Sequence, residues 1–82
     1  MEHTNHIALA ELPANDRARI LSFAVGRHAA SRFASLGLTP GALVSMIQNY
    51  GRGPLIVAVR GARVALGRGE ASKIFVERRI SE

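Results

Sequence analysis

Gly37-Leu38-Thr39-Pro40-Gly41 opens a run of three short apolar segments, Ala42 to Gln48, Leu55 to Arg60 and Ala62 to Leu66. Asn49-Tyr50-Gly51-Arg52-Gly53-Pro54 separates the first two, and a lone Gly61 the last two. Short β-rich runs bounded by Gly, Pro and Asn read as hairpin-connected strands, so this stretch predicts a three-stranded antiparallel meander. Side chains alternate between the two faces of a strand. Leu55, Val57 and Val59 share one face of the second segment, and Val64 and Leu66 one face of the third, which makes them the expected core. Val44 and Met46 point inward by the same period. Leu43, Ser45, Ile47 and Ile56 then point outward, leaving a surplus of apolar surface at Leu43, Ile47 and Ile56.

Upstream of the corner the period changes. Ala29, Phe33 and Leu36 fall at i, i+4 and i+7, while His28, Ser31, Arg32 and Ser35 lie on the remaining face, as in a short amphipathic helix over Arg27 to Leu36. Gly37 stands where a glycine ends a helix, and Pro40 prevents continuation. Before the helix, Arg17 to Val25 reads as the first long strand. Ala18 and Ile20 take one face and Leu21, Phe23 and Val25 the other, which requires either a bulge near Leu21 to Ser22 or cover on both faces. Pro13-Ala14-Asn15-Asp16 is a turn in which Asn15 suits a left-handed backbone. Ile7, Leu9 and Leu12 supply a short apolar lead-in, and one alternative for the outward apolar residues is that this lead-in covers them. Met1 to His6 reads as a flexible polar tail.

Downstream of the meander, Gly67 to Lys73 allows one helical turn, Ile74-Phe75-Val76 is a last short strand, and Arg78 to Glu82 is a charged tail. The predicted fold is mainly β: about five antiparallel strands, with one α-helix inserted after the first long strand. Closure into a barrel would remove the open edges of such short strands.

With 82 residues there is room for one domain, and a chain this small buries only about 60% of its unfolded surface, so a partner would help it. Eleven Lys plus Arg, ten of them Arg, stand against six Asp plus Glu, a formal charge of +5. That balance suits phosphates, acidic protein surfaces or anionic headgroups without choosing among them. The absence of cysteine excludes disulfides and thiolate metal sites. No signal-peptide core and no run of 18 apolar residues is present, so membrane insertion is not expected and a cytoplasmic location is.

No catalytic constellation emerges, and the chain is expected not to be an enzyme. Glu11, Asp16, Glu70 and Glu77 are scattered, with no His, Ser or Cys arranged around them as a triad or acid/base pair needs. Gly67-x-Gly69 followed by Lys73 lacks the spacing of a phosphate loop. His3 and His6 stand three apart where no helix is implied, and His28 has no nearby carboxylate in sequence; all three read as solvated, and no metal or cofactor site is expected.

Several stretches together carry a family resemblance: Ala18-Arg19-Ile20-Leu21-Ser22-Phe23; Arg32-Phe33 leading to Leu36-Gly37-Leu38-Thr39-Pro40-Gly41; Asn49-Tyr50-Gly51-Arg52-Gly53-Pro54-Leu55; and Val59 through Ala71 to Lys73-Ile74. From about Leu9 to Glu77 the chain resembles FeoA, the ferrous iron transport protein A family. The resemblance implies an SH3-like barrel over residues 7–77. It also implies a small cytoplasmic accessory protein of ferrous iron uptake, acting as a protein-interaction module on FeoB, a membrane iron transporter with a GTP-binding domain. Asn15 stands where family members commonly have Gly, and Leu43 and Ile47 stand at outward positions often charged in the family. The SH3-like module also occurs as the C-terminal domain of DtxR-type repressors, and a stand-alone relative of that domain is an alternative expectation.

The expected partner-binding residues are Leu43, Ile47 and Ile56, with Arg52, Arg60, Arg63 and Arg68 at or beside the meander turns. Self-association through the apolar three is a further expectation. An alternative function is a nucleic-acid-binding SH3-like domain, suggested by the arginines and the two Gly-Arg-Gly turns. Against nucleic acid, Tyr50 is the one aromatic in an expected loop, whereas single-strand binders combine a basic groove with several stacking platforms.

Overall fold

The computed structural model describes residues 2–81, with burial described for 5–78. Six strands, β1 (Glu2–Ala8), β2 (Arg17–Phe23), β3 (Leu43–Gln48), β4 (Leu55–Val59), β5 (Ala62–Leu66) and β6 (Ile74–Ser81), form one sheet in the order β1-β6-β2-β3-β4-β5. Every neighbouring pair is antiparallel. A single 3-10 turn at Leu9–Glu11 follows β1, α1 (Arg27–Ser35) joins β2 to β3, and the short α2 (Arg68–Ala71) joins β5 to β6.

The meander of β3, β4 and β5 follows the predicted phase. Val44, Met46, Leu55, Val57, Val59, Val64 and Leu66 are all buried. Arg60 (φ 51°) and Gly61 (φ 81°) make the two-residue turn between β4 and β5. Left-handed conformation at both positions matches the right-handed twist of the flanking strands. Between β3 and β4 the register slips, Met46 facing Val57 and Gln48 facing Ile56, so Ile47 is the extra residue of a bulge.

The helix ends as the glycine requires. Gly37 has φ 90°, its N–H donates to the Ala34 carbonyl at 3.0 Å, and the Leu38 N–H reaches back to the Phe33 carbonyl at 2.9 Å. That pair of bonds is the Schellman arrangement, which brings the residue after the glycine against the last turn. Leu38 and Phe33 are accordingly both buried in the core. Of the two possibilities for β2, the bulge is what occurs: Ile20 faces Val76 and Ser22 faces Phe75, leaving Leu21 unmatched. The slip lets Ala18 and Ile20 remain in the core while Phe23 tilts against Phe33 with ring centroids 5.4 Å apart. Asn15 has φ 74°, and the Asn15 N–H donates to the Met46 carbonyl while the Met46 N–H donates to that of Asp16, each at 2.8 Å.

The two ends of the chain differ from expectation. Residues 2–8 are not a tail: they pair along β6 from Glu2 facing Ser81 to Ala8 facing Phe75, and β6 runs on through Arg78 to Ser81, residues expected in the charged tail. The sheet therefore has one strand more than predicted. Polar side chains conceal such strands, because the pairing rests on backbone groups. Met1 and Glu82, and the side chain of His3, lie outside the described residues. The lead-in enters the core, with Leu9 and Leu12 fully buried and Ile7 packed against it; it leaves Leu43 and Ile47 uncovered.

Candidate docking face

Strand pairing sets the outward side chains of the meander in rows across the sheet. Arg17 faces Ser45, Ser45 faces Ala58, and Ala58 faces Arg63, so one row carries an arginine at each end and small residues between. On one side of that row lies Leu43, facing Arg19, which in turn faces Glu77. On the other side Gln48 faces Ile56 and Ile56 faces Ala65, with Ile47 bulged beside them. Leu43 is 50% exposed and Ile47 38%; Ile56 is half-buried. Leu43 and Ile47 are four steps apart along the strand, about 13 Å. The three apolar residues thus occupy one face as expected, in two groups with small residues between them. Tyr50, 76% exposed, stands with Arg52 on the loop beyond Ile47.

The arginines divide by role. Arg63 is exposed on the edge strand and Arg52 on the loop. Arg60 turns back on the fold: its Nη2 donates to Thr39 Oγ1 at 3.1 Å, and its stem lies where a side chain on Gly37 would be, 3.3 Å from that position. Arg68 does not serve the exposed surface to which the sequence assigned it. Its Nη1 donates to the Ala10 carbonyl at 3.2 Å and its Nη2 to Asn49 Oδ1 at 2.7 Å, while its Nε is buried with no partner. Asn49 completes the knot, donating from Nδ2 to the carbonyls of Ala10 (3.0 Å) and Leu12 (2.8 Å) and accepting from the Gly51 N–H (3.0 Å). The helical turn of α2 aims Arg68 inward, so it ties the lead-in to the β3–β4 loop.

Sequence reasoning missed Arg17, Arg19 and Tyr50 as neighbours of the apolar strip. Arg17 and Arg19 alternate with buried Ala18, which marks them as outward, but only the β2–β3 register sets them beside Ser45 and Leu43.

Charge on this face is unbalanced. The described carboxylates are engaged elsewhere: Asp16 with Arg78, Glu70 with Arg32 and Glu77 with His6. Glu11 accepts from the Ala8 N–H at 3.1 Å, tying down the backbone before the 3-10 turn. Arg17, Arg52 and Arg63 make no ion pair among the described residues. The face is therefore basic, with its apolar residues on either side of a row of small ones.

Away from it, an open groove of about 440 Å³ lies between α1 and α2, lined by Val25, Ala29, Arg32, Phe33, Glu70 and Lys73 among others. Among the described residues no three His, Cys, Asp or Glu side chains converge as metal ligands would. No helix among them is long and apolar enough to cross a membrane.

Six antiparallel strands around one core, with a helix between the second and third, define a small SH3-like β domain. Comparison with known proteins agrees. Residues 7–78 match the FeoA domain. The chain belongs to the FeoA family. A protein of Methanocaldococcus jannaschii, provisionally named Fe(2+) transport protein A, is 40% identical over 52 residues, covering 63% of this chain and 62% of that protein's length. An iron uptake regulatory protein (FeoA) of known crystal structure superposes with a TM-score of 0.85 at 32% identity, over 93% of this chain and all of that one. The FeoA of Stenotrophomonas maltophilia, solved with zinc and described as a procaryotic SH3 domain protein, has a TM-score of 0.75 at 30% identity, over 88% of this chain and 93% of that one.

Proposed function

We propose that this chain is a cytoplasmic accessory protein of ferrous iron uptake that docks, as a protein-interaction module without enzymatic activity, on the cytoplasmic part of an FeoB-type transporter. Membership of a family involved in ferrous iron transport supports the process. The Stenotrophomonas relative, described as a candidate ferrous iron transport activating factor, supports the accessory role. The observation that carries the docking is the outer face of the meander, where Leu43 and Ile47 stay exposed on either side of the row that runs from Arg17 to Arg63. Exposed branched apolar side chains gathered on one basic face of a small domain point to an interface, and unpaired arginines on that face steer an acidic partner.

The deciding experiment compares binding to the cytoplasmic part of the transporter with binding to short RNA and DNA across a salt series. Saturable binding to the transporter, weakening as salt screens the arginines, supports the proposal. Tight, salt-sensitive nucleic-acid binding with no binding to the transporter contradicts it and favours a nucleic-acid-binding domain, which the same basic face would serve.

A further inference from the structure

β5 is the last strand of the sheet and pairs only with β4. The turn that precedes it decides which of its backbone groups are free. Val59 and Ala62 flank the two-residue turn, and residues in that position form a hydrogen-bonded pair. Bonded and non-bonded pairs alternate along an antiparallel ladder. Val57 with Val64 and Leu55 with Leu66 are then bonded, whereas Ala58 with Arg63 and Ile56 with Ala65 are not. The N–H and C=O groups of Arg63 and Ala65 consequently point away from β4. No turn, loop or cap among the described residues bonds to them. Both residues are exposed, and the strand contains no proline to blunt it.

Charge selects what would pair there. Arg63 ends the row that begins at Arg17, and the described carboxylates are engaged elsewhere. A second copy, pairing antiparallel about Val64, would set the two Arg63 side chains diagonally across the join and bring together two chains of charge +5. An acidic strand meets the same row with attraction. We infer that β5 is a docking edge for an extended acidic segment of a partner protein. The segment adds a seventh strand to the six through the backbone of Arg63 and Ala65, sets a carboxylate opposite Arg63 on the outer face, and turns an apolar side chain inward opposite Val64. This edge is separate from the apolar strip, and the inference holds whichever protein supplies the segment.

The test uses the whole chain, labelled for amide NMR, and an octapeptide of alternating glutamate and valine, with a lysine–valine octapeptide as control. In the free chain the amides of Arg63 and Ala65 exchange fast and that of Val64 slowly. With the glutamate peptide, Arg63 and Ala65 become protected and shift changes centre on β5. Arg63→Glu weakens binding about tenfold. Ala65→Pro, which removes a free N–H and no bond to β4, abolishes it. Equal binding of the lysine peptide, shift changes centred elsewhere, no binding of the glutamate peptide, or full binding by Ala65→Pro overturns the inference. Concentration-dependent protection of Arg63 and Ala65 without peptide also overturns it, because a second copy then holds the edge. If Ala65→Pro does not fold, the exchange pattern and Arg63→Glu decide alone.

Discussion

The knot of Arg68, Asn49 and Ala10 separates a structural arginine from a binding one, and its substitutions should follow a definite order. Asn49→Ala deletes four hydrogen bonds. The Ala10 carbonyl keeps Arg68 as a donor, but the part-buried guanidinium loses its Asn49 acceptor, which for a charged group costs about 2 kcal/mol, and the neutral bonds add about 1 kcal/mol. The sum is about 3 kcal/mol. Arg68→Ala deletes two bonds, yet both acceptors keep a second donor: Ala10 retains Asn49 and Asn49 retains Gly51. It also relieves the buried, partnerless Nε, so its net cost is about 1 kcal/mol. The double variant should cost less than the two singles together, because the orphaned guanidinium leaves with Arg68, and the coupling is about 1 to 2 kcal/mol. Urea unfolding followed by circular dichroism measures all three. Equal or reversed costs, or strict additivity, would refute the network. Arg68→Ala with unchanged stability but lost partner binding would return Arg68 to the exposed surface where the sequence placed it.

Phe33→Ala empties the contact with Phe23 and Leu38 and should cost about 3 to 5 kcal/mol, most of the stability of a domain this small; a thermal melt within a few degrees of the parent would contradict the packing. Gly37→Ala places a side chain at φ 90° and 3.3 Å from the Arg60 stem, for a loss of about 1 to 2 kcal/mol, readable in the same urea titration; a neutral result would mean the helix ends in another conformation. Removing residues 1–6 strips β1 from β6 and should lower the melting temperature by about 5 °C or more, with amide protection lost along β6; an unchanged melt would show that those residues are a tail after all.

The meander was legible because its inward and outward positions differ in kind: Leu55, Val57 and Val59 against exposed Arg60 and the alternating Arg63. The helix end was legible because Gly37 and Pro40 constrain the backbone whatever surrounds them. The β2 bulge could be posed but not decided, since only the partner strand shows that Ser22 faces Phe75. β1 and the far half of β6 were hidden because edge pairing uses backbone groups common to every residue, and their sequences, Glu-His-Thr-Asn-His and Glu-Arg-Arg, carry no apolar period. Arg68 was misread for a related reason. Gly51-Arg52-Gly53 and Gly67-Arg68-Gly69 are the same tripeptide, and only the helical turn of α2 and the position of Asn49 send one arginine inward while the other stays in solvent.

Leu43→Ser with Ile47→Ser tests the docking face most directly. The parent surface leaves 50% and 38% of these residues exposed, so covering what remains stabilises a complex by roughly 1 kcal/mol each before ordering costs. The pair together is about thirtyfold in affinity. Calorimetric titration against the cytoplasmic part of the FeoB-type transporter, with parent and double variant at the same salt, measures that ratio. A fall of about thirtyfold at an unchanged melting temperature is the predicted result; equal affinity of parent and variant would contradict the claim that this face meets the transporter.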